Sequence, residues 1–155
     1  MTRDRLAHTL LREVGFSLLD EGKTLRVRAD GYSMYPVIKP GSVIFIEPLA
    51  EGSFPVTGEI IAWKKESGFI VHRLIKYLDK EGNRYLVTRG DSSFKEDDPE
   101  PVESIAGIVK RVENPSGKEV PLRSFLNYSP NYGLNRFLVR IILQISRIKR
   151  IFYSP

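Results

Sequence analysis

The stretch Thr24–Glu47 reads TLRVRADGYSMYPVIKPGSVIFIE, and its texture decides the fold class. Two β-rich runs, Thr24–Ala29 and Ser42–Glu47, flank an insert built from turn formers, with Gly31, Pro36, Pro40 and Gly41 inside twelve residues. The same texture continues downstream in Glu59–Lys65, Phe69–Tyr77, Arg84–Thr88 and Ile105–Val112. Clusters of Gly, Pro, Asp and Ser (KPGS, KESG, DKEGN, NPSG) separate these runs. Short strands with turn signals at this density specify a mainly β protein, a compact antiparallel domain over residues 24–126. The EGNR segment between Tyr77-Leu78 and Tyr85-Leu86 is a hairpin turn.

Helical periodicity brackets this domain. Leu6, Leu10, Leu11, Val14 and Leu18 recur at helical steps, so Thr2–Asp20 is expected to be a helix, with Gly22 as its stop, in an N-terminal piece 1–23. Gly15 weakens that expectation by about 1 kcal/mol. At the other end Asn127–Tyr132 is a link, and residues 127–155 hold a basic amphipathic C-terminal helix. Leu134, Phe137, Leu138, Ile141, Ile142, Ile145, Ile148 and Phe152 fall on one side at about 100° per residue, and Arg136, Arg140, Arg147 and Arg150 fall opposite.

The net charge of +5 is carried by this tail, since Gly133–Pro155 holds five bases and no acid, while bases and acids elsewhere balance. A neutral body is not that of a nucleic-acid-binding protein, so no nucleic acid is expected as a partner. The chain has no Cys and two His, His8 and His72, which excludes disulfides, a cysteine nucleophile and a histidine-rich metal site. No metal or cofactor is expected. The N-terminus is too charged for a secretory segment, and no run of about 18 uncharged apolar residues exists. The expected address is cytoplasmic, with the inner membrane surface as the open extension of that reading.

Gly31-Tyr32-Ser33-Met34-Tyr35-Pro36 lies between two expected strands. A lone serine in a loop is ordinarily a turn former, and this is not the G-x-S-x-G elbow of the hydrolases. His72, in Gly68-Phe69-Ile70-Val71-His72-Arg73-Leu74-Ile75, shares a strand face with Ile70 and Leu74, where a histidine is ordinarily a satisfied core residue. Further on come Thr88-Arg89-Gly90-Asp91-Ser92-Ser93 and then Glu96-Asp97-Asp98-Pro99, an acidic loop that alone would be a solvated turn.

In this order the boxes resemble the signal peptidase I superfamily, which includes the self-cleaving LexA-type repressors. The G-x-S-M-x-P box is met by Gly31–Pro36 and then Gly41–Ile46, and the next box by Gly58-Glu59-Ile60-Ile61-Ala62. The strand carrying the general base before an Arg is met by Val71-His72-Arg73, and the Gly-Asp box by Gly90-Asp91 with Asp97-Asp98 downstream. The resemblance covers about residues 29–112. Bacterial housekeeping signal peptidases and LexA-type proteins place a Lys at the base position. With His72 there, the chain resembles the endoplasmic-reticulum, archaeal and sporulation-type branch, which uses Ser, His and Asp.

That resemblance implies a serine endopeptidase that cuts an extended leader or precursor peptide, with small side chains before the cut. Ser33 is the implied nucleophile and His72 the base; imidazole is ordinarily largely neutral at pH 7. By spacing, Asp98 matches the triad acid that orients the imidazole, Asp97 is the alternative, and Asp91 is expected to order the loop beside the site. Lys64 and Lys65 are alternative bases at a strand end, where solvation is their ordinary state. Two departures stand out. Many relatives carry a Ser two residues before the nucleophile for the oxyanion hole, where this chain has Gly31, which leaves backbone N–H groups such as that of Ser33. The chain also shows no transmembrane anchor, which argues against a role in general secretion. The alternative is a catalytically weak module of the same fold that binds peptides or docks on a membrane. A LexA-type transcription factor is disfavoured, because the N-terminal piece is one helix and not a helix-turn-helix. The tail has two open readings: contact with an anionic membrane surface through residues 134–153, or packing on the β domain or a second subunit.

Overall fold

The computed structural model describes residues 13–65, 68–122 and 128–152, the last stretch with side chains through residue 147. A helix, α1, covers residues 13–20, and the rest of the expected N-terminal helix, with His8, lies outside the described residues. Gly22 ends it as expected: its φ of 77° gives the left-handed turn that a C′ glycine supplies. Leu18 O accepts from Lys23 N at 2.8 Å across that turn. Gly15, a weak helix former, has a packing reason. A Cβ there would stand 3.2 Å from Phe69 and 3.3 Å from Leu25, so the glycine lets α1 sit close on the sheet.

The strands are β1 (Leu25–Arg28), β2 (Val43–Glu47), β3 (Ile60–Lys65), β4 (Gly68–Lys80), β5 (Asn83–Arg89), β6 (Glu100–Pro101), β7 (Ile105–Glu113) and β8 (Glu119–Val120). They form one sheet in the order β1-β2-β7-β3-β4-β5-β6, with β8 on β7, and every pairing is antiparallel. The mainly β antiparallel class is therefore as the sequence reads. All six runs read as strands are strands; the two-residue β6 and β8 were too short to leave a pattern. The β4–β5 hairpin closes through Glu81 and Gly82, both at positive φ (51° and 79°), the geometry of a tight type I′ connection.

The central strand β3 is buried on both faces, which explains its unbroken apolar run Ile60–Trp63. Ile60 and Ala62 join Leu19, Met34, Ile38 and Ile46 in one core cluster, and Ile61 and Trp63 join Leu74, Leu86 and Ile108 in the other. β4 pairs with β3 through Gly68–Arg73 but with β5 only from Arg73 onward. Its first half therefore keeps one edge free of strand partners among the described residues, as does β1 at the end of the sheet.

The C-terminal helix α2 runs Tyr132–Phe152. It begins inside the expected link, because Asn131 Oδ1 accepts from Leu134 N at 3.1 Å and caps it. No helix among the described residues is long and apolar enough to cross a membrane.

Candidate active site

Ser33 lies in a tight turn whose other side chains anchor it. Tyr35 N donates to Tyr32 O and Ile38 N to Met34 O, while Met34, Val37 and Ile38 are buried in the core. The turn is also tied to the loop after β5: Ser92 N donates to Ser33 O at 2.8 Å and Ser92 Oγ to Tyr32 O at 2.7 Å. Ser33 and His72 line the same cleft of about 250 Å³, with Val27 of β1, Ala29 just after it, Met34 and Phe69 among its apolar walls.

His72 sits on β4 opposite Ile61 of β3, with its side chain 13% exposed. Its Nδ1 lies 2.6 Å from Asp97 Oδ2. The acid on the imidazole is thus Asp97 and not Asp98, which corrects the expectation drawn from spacing. The reason is in the backbone. Asp97 N donates to Thr88 O at 2.8 Å and the Thr88 hydroxyl donates to Asp97 Oδ2, so β5 holds Asp97 against His72 from two sides. Asp98, one residue on, is exposed. Burial raises the Asp97 carboxyl's pKa, but hydrogen bonds from His72 and Thr88, with the charges of His72 and Lys65, outweigh it and hold the group below its ordinary value. It is an ionised acceptor at neutral pH.

The opposite nitrogen, His72 Nε2, faces the Ser33 turn across Gly90. A Cβ placed on Gly90 would stand 2.7 Å from Ser33 O and 3.0 Å from His72 Nε2, and would collide with Ser93 Oγ. Only a glycine lets the three approach one another. No hydrogen bond joins Ser33 Oγ to His72 Nε2 among the described residues, and such contacts commonly tighten only when substrate is bound. The candidate bases Lys64 and Lys65 line no part of this cleft. Lys64 Nζ lies 3.5 Å from Asp20 and 5.0 Å from the Phe16 ring centroid, and Lys65 is exposed beside Trp63. At Gly31 a Cβ would meet nothing within 4 Å, so the missing side chain leaves open space beside the Ser33 turn.

The amino-acid sequence matches a family over residues 9–112, described as Peptidase S24-like. The chain belongs to the Peptidase S24-like family. No curated protein matches it in sequence. In this S24-like chain the family region takes in α1 and every strand through most of β7, and it contains Ser33, His72, Asp91 and Asp97. It stops short of α2.

Behind the S24-like site stands a second, fully buried pair. Arg73 Nε and Nη2 donate to the two carboxylate oxygens of Asp91 at 2.8 and 2.7 Å, and Arg73 Nη1 donates to Gly58 O at 2.7 Å. Arg73 is 2% and Asp91 0% exposed. Burial pushes the Asp91 carboxyl up, against the opposing pull of Arg73. Asn135 of α2 donates from Nδ2 to Asp91 O at 2.9 Å, so the C-terminal helix is clasped to the loop that bears Gly90. Sequence reading missed the parts played by Thr88, Gly90, Arg73 and Asn135. Arg73 carried a signal, since a cation inside an apolar strand run must find a buried partner. Asn135 carried one too, as a polar residue among the apolar positions at the start of α2.

Two predictions follow from this geometry. Gly90→Ala is expected to lower peptide cleavage on the order of 100-fold, because Ser33 and His72 must move apart to admit the methyl group. Unchanged kinetics in a folded Gly90→Ala protein would contradict the close approach. Asp91→Ala is expected to destabilise the fold by about 3–5 kcal/mol, because a buried guanidinium loses its carboxylate. Urea unfolding measures this, and a loss below about 1 kcal/mol would show that the pair is dispensable.

Proposed function

We propose that the protein is a serine endopeptidase of the histidine-containing branch, with Ser33 as nucleophile, His72 as general base and Asp97 as the orienting acid. The observation that carries this reading is the 2.6 Å contact between His72 Nδ1 and Asp97, with Nε2 turned toward the Ser33 turn. An ionised Asp97 keeps the proton on Nδ1, so Nε2 presents its lone pair. In the reaction the Ser33 hydroxyl attacks the scissile carbonyl carbon while its proton passes to Nε2. The tetrahedral oxyanion is stabilised by backbone N–H groups, that of Ser33 among them. Collapse of this intermediate breaks the C–N bond, and the imidazolium returns its proton to the leaving amine. A water then gives a proton to Nε2 and attacks the acyl-serine, which releases the carboxyl product and restores the hydroxyl.

The substrate is an extended leader or precursor peptide. The cleft is bordered by β1 and by residues 69–72 of β4, and both strands have an unpaired edge there among the described residues. A peptide entering between them gains main-chain hydrogen bonds as an added strand, and shallow apolar walls such as Ala29 and Met34 accept small side chains. The test is labelling by a serine-reactive fluorophosphonate, with the modified residue located by mass spectrometry. Adduct on Ser33 that disappears in His72→Ala is expected. No adduct on Ser33 from a folded protein supports the alternative, a module of this fold that holds peptides without cutting them.

A further inference from the structure

The helix α2 lies outside the family region and has a side that nothing among the described residues covers. Its first turns are fastened to the body by the Asn135–Asp91 hydrogen bond and by two cation–ring contacts, Arg89 over Tyr132 at 3.4 Å and Arg136 over Phe94 at 4.6 Å. On the helical wheel Leu134, Phe137, Leu138, Ile141 and Ile145 share a side that Asn135 does not. Leu134, Phe137, Leu138 and Ile145 are 51%, 58%, 37% and 49% exposed. Farther along, Leu143, Gln144, Ile145, Ser146 and Arg147 are exposed in succession, so a full turn of the helix stands clear of the described body on every side. Removing large apolar side chains from water is favourable, so such a side is poised for a partner.

Charge says which partner. Residues 133–155 hold five bases and no acid. Arg140 and Arg147, both exposed, lie on the side of α2 opposite the apolar one, spaced so that both can reach the phosphate level of a membrane in which the helix lies flat. This basic side complements an anionic surface, and α2 carries no acid to oppose that attraction.

We propose that α2 is an interfacial helix that docks the protein on an anionic lipid surface. The apolar side enters the boundary between headgroups and acyl chains, and the arginines meet lipid phosphates. Being too short of apolar residues to span, it lies in the plane. This docking stands on α2 alone and is independent of the peptidase reading.

The experiment is co-sedimentation of the full chain with phosphatidylcholine vesicles, with and without phosphatidylglycerol, at low and high salt. The protein is expected to pellet with the anionic vesicles at low salt, and the bound fraction is expected to fall as salt shortens the screening length from about 10 Å toward 3 Å. The double variant Phe137→Gln, Ile145→Gln is expected to weaken vesicle binding at least about tenfold. Both residues are exposed, so its melting temperature is expected to match that of the parent. Failure to pellet with anionic vesicles at low salt overturns the proposal. So does pelleting that the double variant leaves unchanged, because contact is then by charge without insertion. A dimer in light scattering that the double variant abolishes, with vesicles left unbound, would assign the apolar side to a second copy.

Discussion

Ser33→Ala is expected to lower peptide cleavage by about 10⁶-fold while leaving the thermal unfolding midpoint within a degree or two of the parent. The loss is large because nucleophile and base act as one unit: without the hydroxyl, the imidazole has no proton to accept from Ser33 and no acyl-enzyme forms. The fold is expected to survive because the turn is held by Met34, Val37 and Ile38 and by the main-chain bond from Ser92 N to Ser33 O, none of which uses the hydroxyl. His72→Ala is expected to cost about as much, and the double variant scarcely more than either single one. Additive losses would mean that the two side chains work in separate steps. Cleavage by Ser33→Ala at the parental rate would remove Ser33 from the chemistry altogether.

The second large effect separates two neighbouring carboxylates. Asp97→Asn is expected to lower kcat/KM by about 10⁴-fold, and Asp98→Asn by no more than a few-fold. An asparagine amide in place of the carboxylate can donate to Nδ1, which moves the imidazole proton to Nε2 and leaves no lone pair toward Ser33. Asp98 is exposed and makes no contact with the imidazole among the described hydrogen bonds, so its amide changes little. The reverse ranking would return the acid's role to Asp98. Stability supplies an independent readout. The Asp97 pKa is depressed in the fold, so the stability it contributes is present above the unfolded carboxyl value of about 3.9 and is lost as pH falls through the lower folded value. Asp97→Asn is therefore expected to flatten the acid side of the stability-against-pH curve, and Asp98→Asn to leave it as it was.

The error of one residue between Asp98 and Asp97 shows where reading a sequence stops. Spacing along a loop counts residues, but which carboxylate meets His72 depends on where the loop is pinned. Here the pin is a single main-chain bond from Asp97 N to Thr88 O, across nine positions of chain. No local pattern in Glu96-Asp97-Asp98-Pro99 encodes it. Strand β4 shows the contrasting case. Its alternation put His72 on a face with Ile70 and Leu74, and its ladder with β3 keeps that order, because a period of two admits no drift within one regular strand.

By itself the sequence determined the β class, the six longer strands, the helix stop at Gly22, the tight β4–β5 turn and the presence of Ser33 and His72 in the right order. Each of these rests on local physics: hydrophobic period, turn residues that tolerate positive φ, and motifs only a few residues long. The tertiary structure alone decided the approach of Ser33 and His72 across Gly90, the bonding of Asp97, the burial of Arg73 on Asp91, and the clasp of Asn135 on the loop beside the site. The three hydrogen-bonded pairings, His72–Asp97, Arg73–Asp91 and Asn135–Asp91, join residues between 18 and 44 positions apart. Their partners are chosen by which strand edges and loops the folded sheet brings within about 3 Å, a distance at which hydrogen bonds form and which no spacing along the chain specifies.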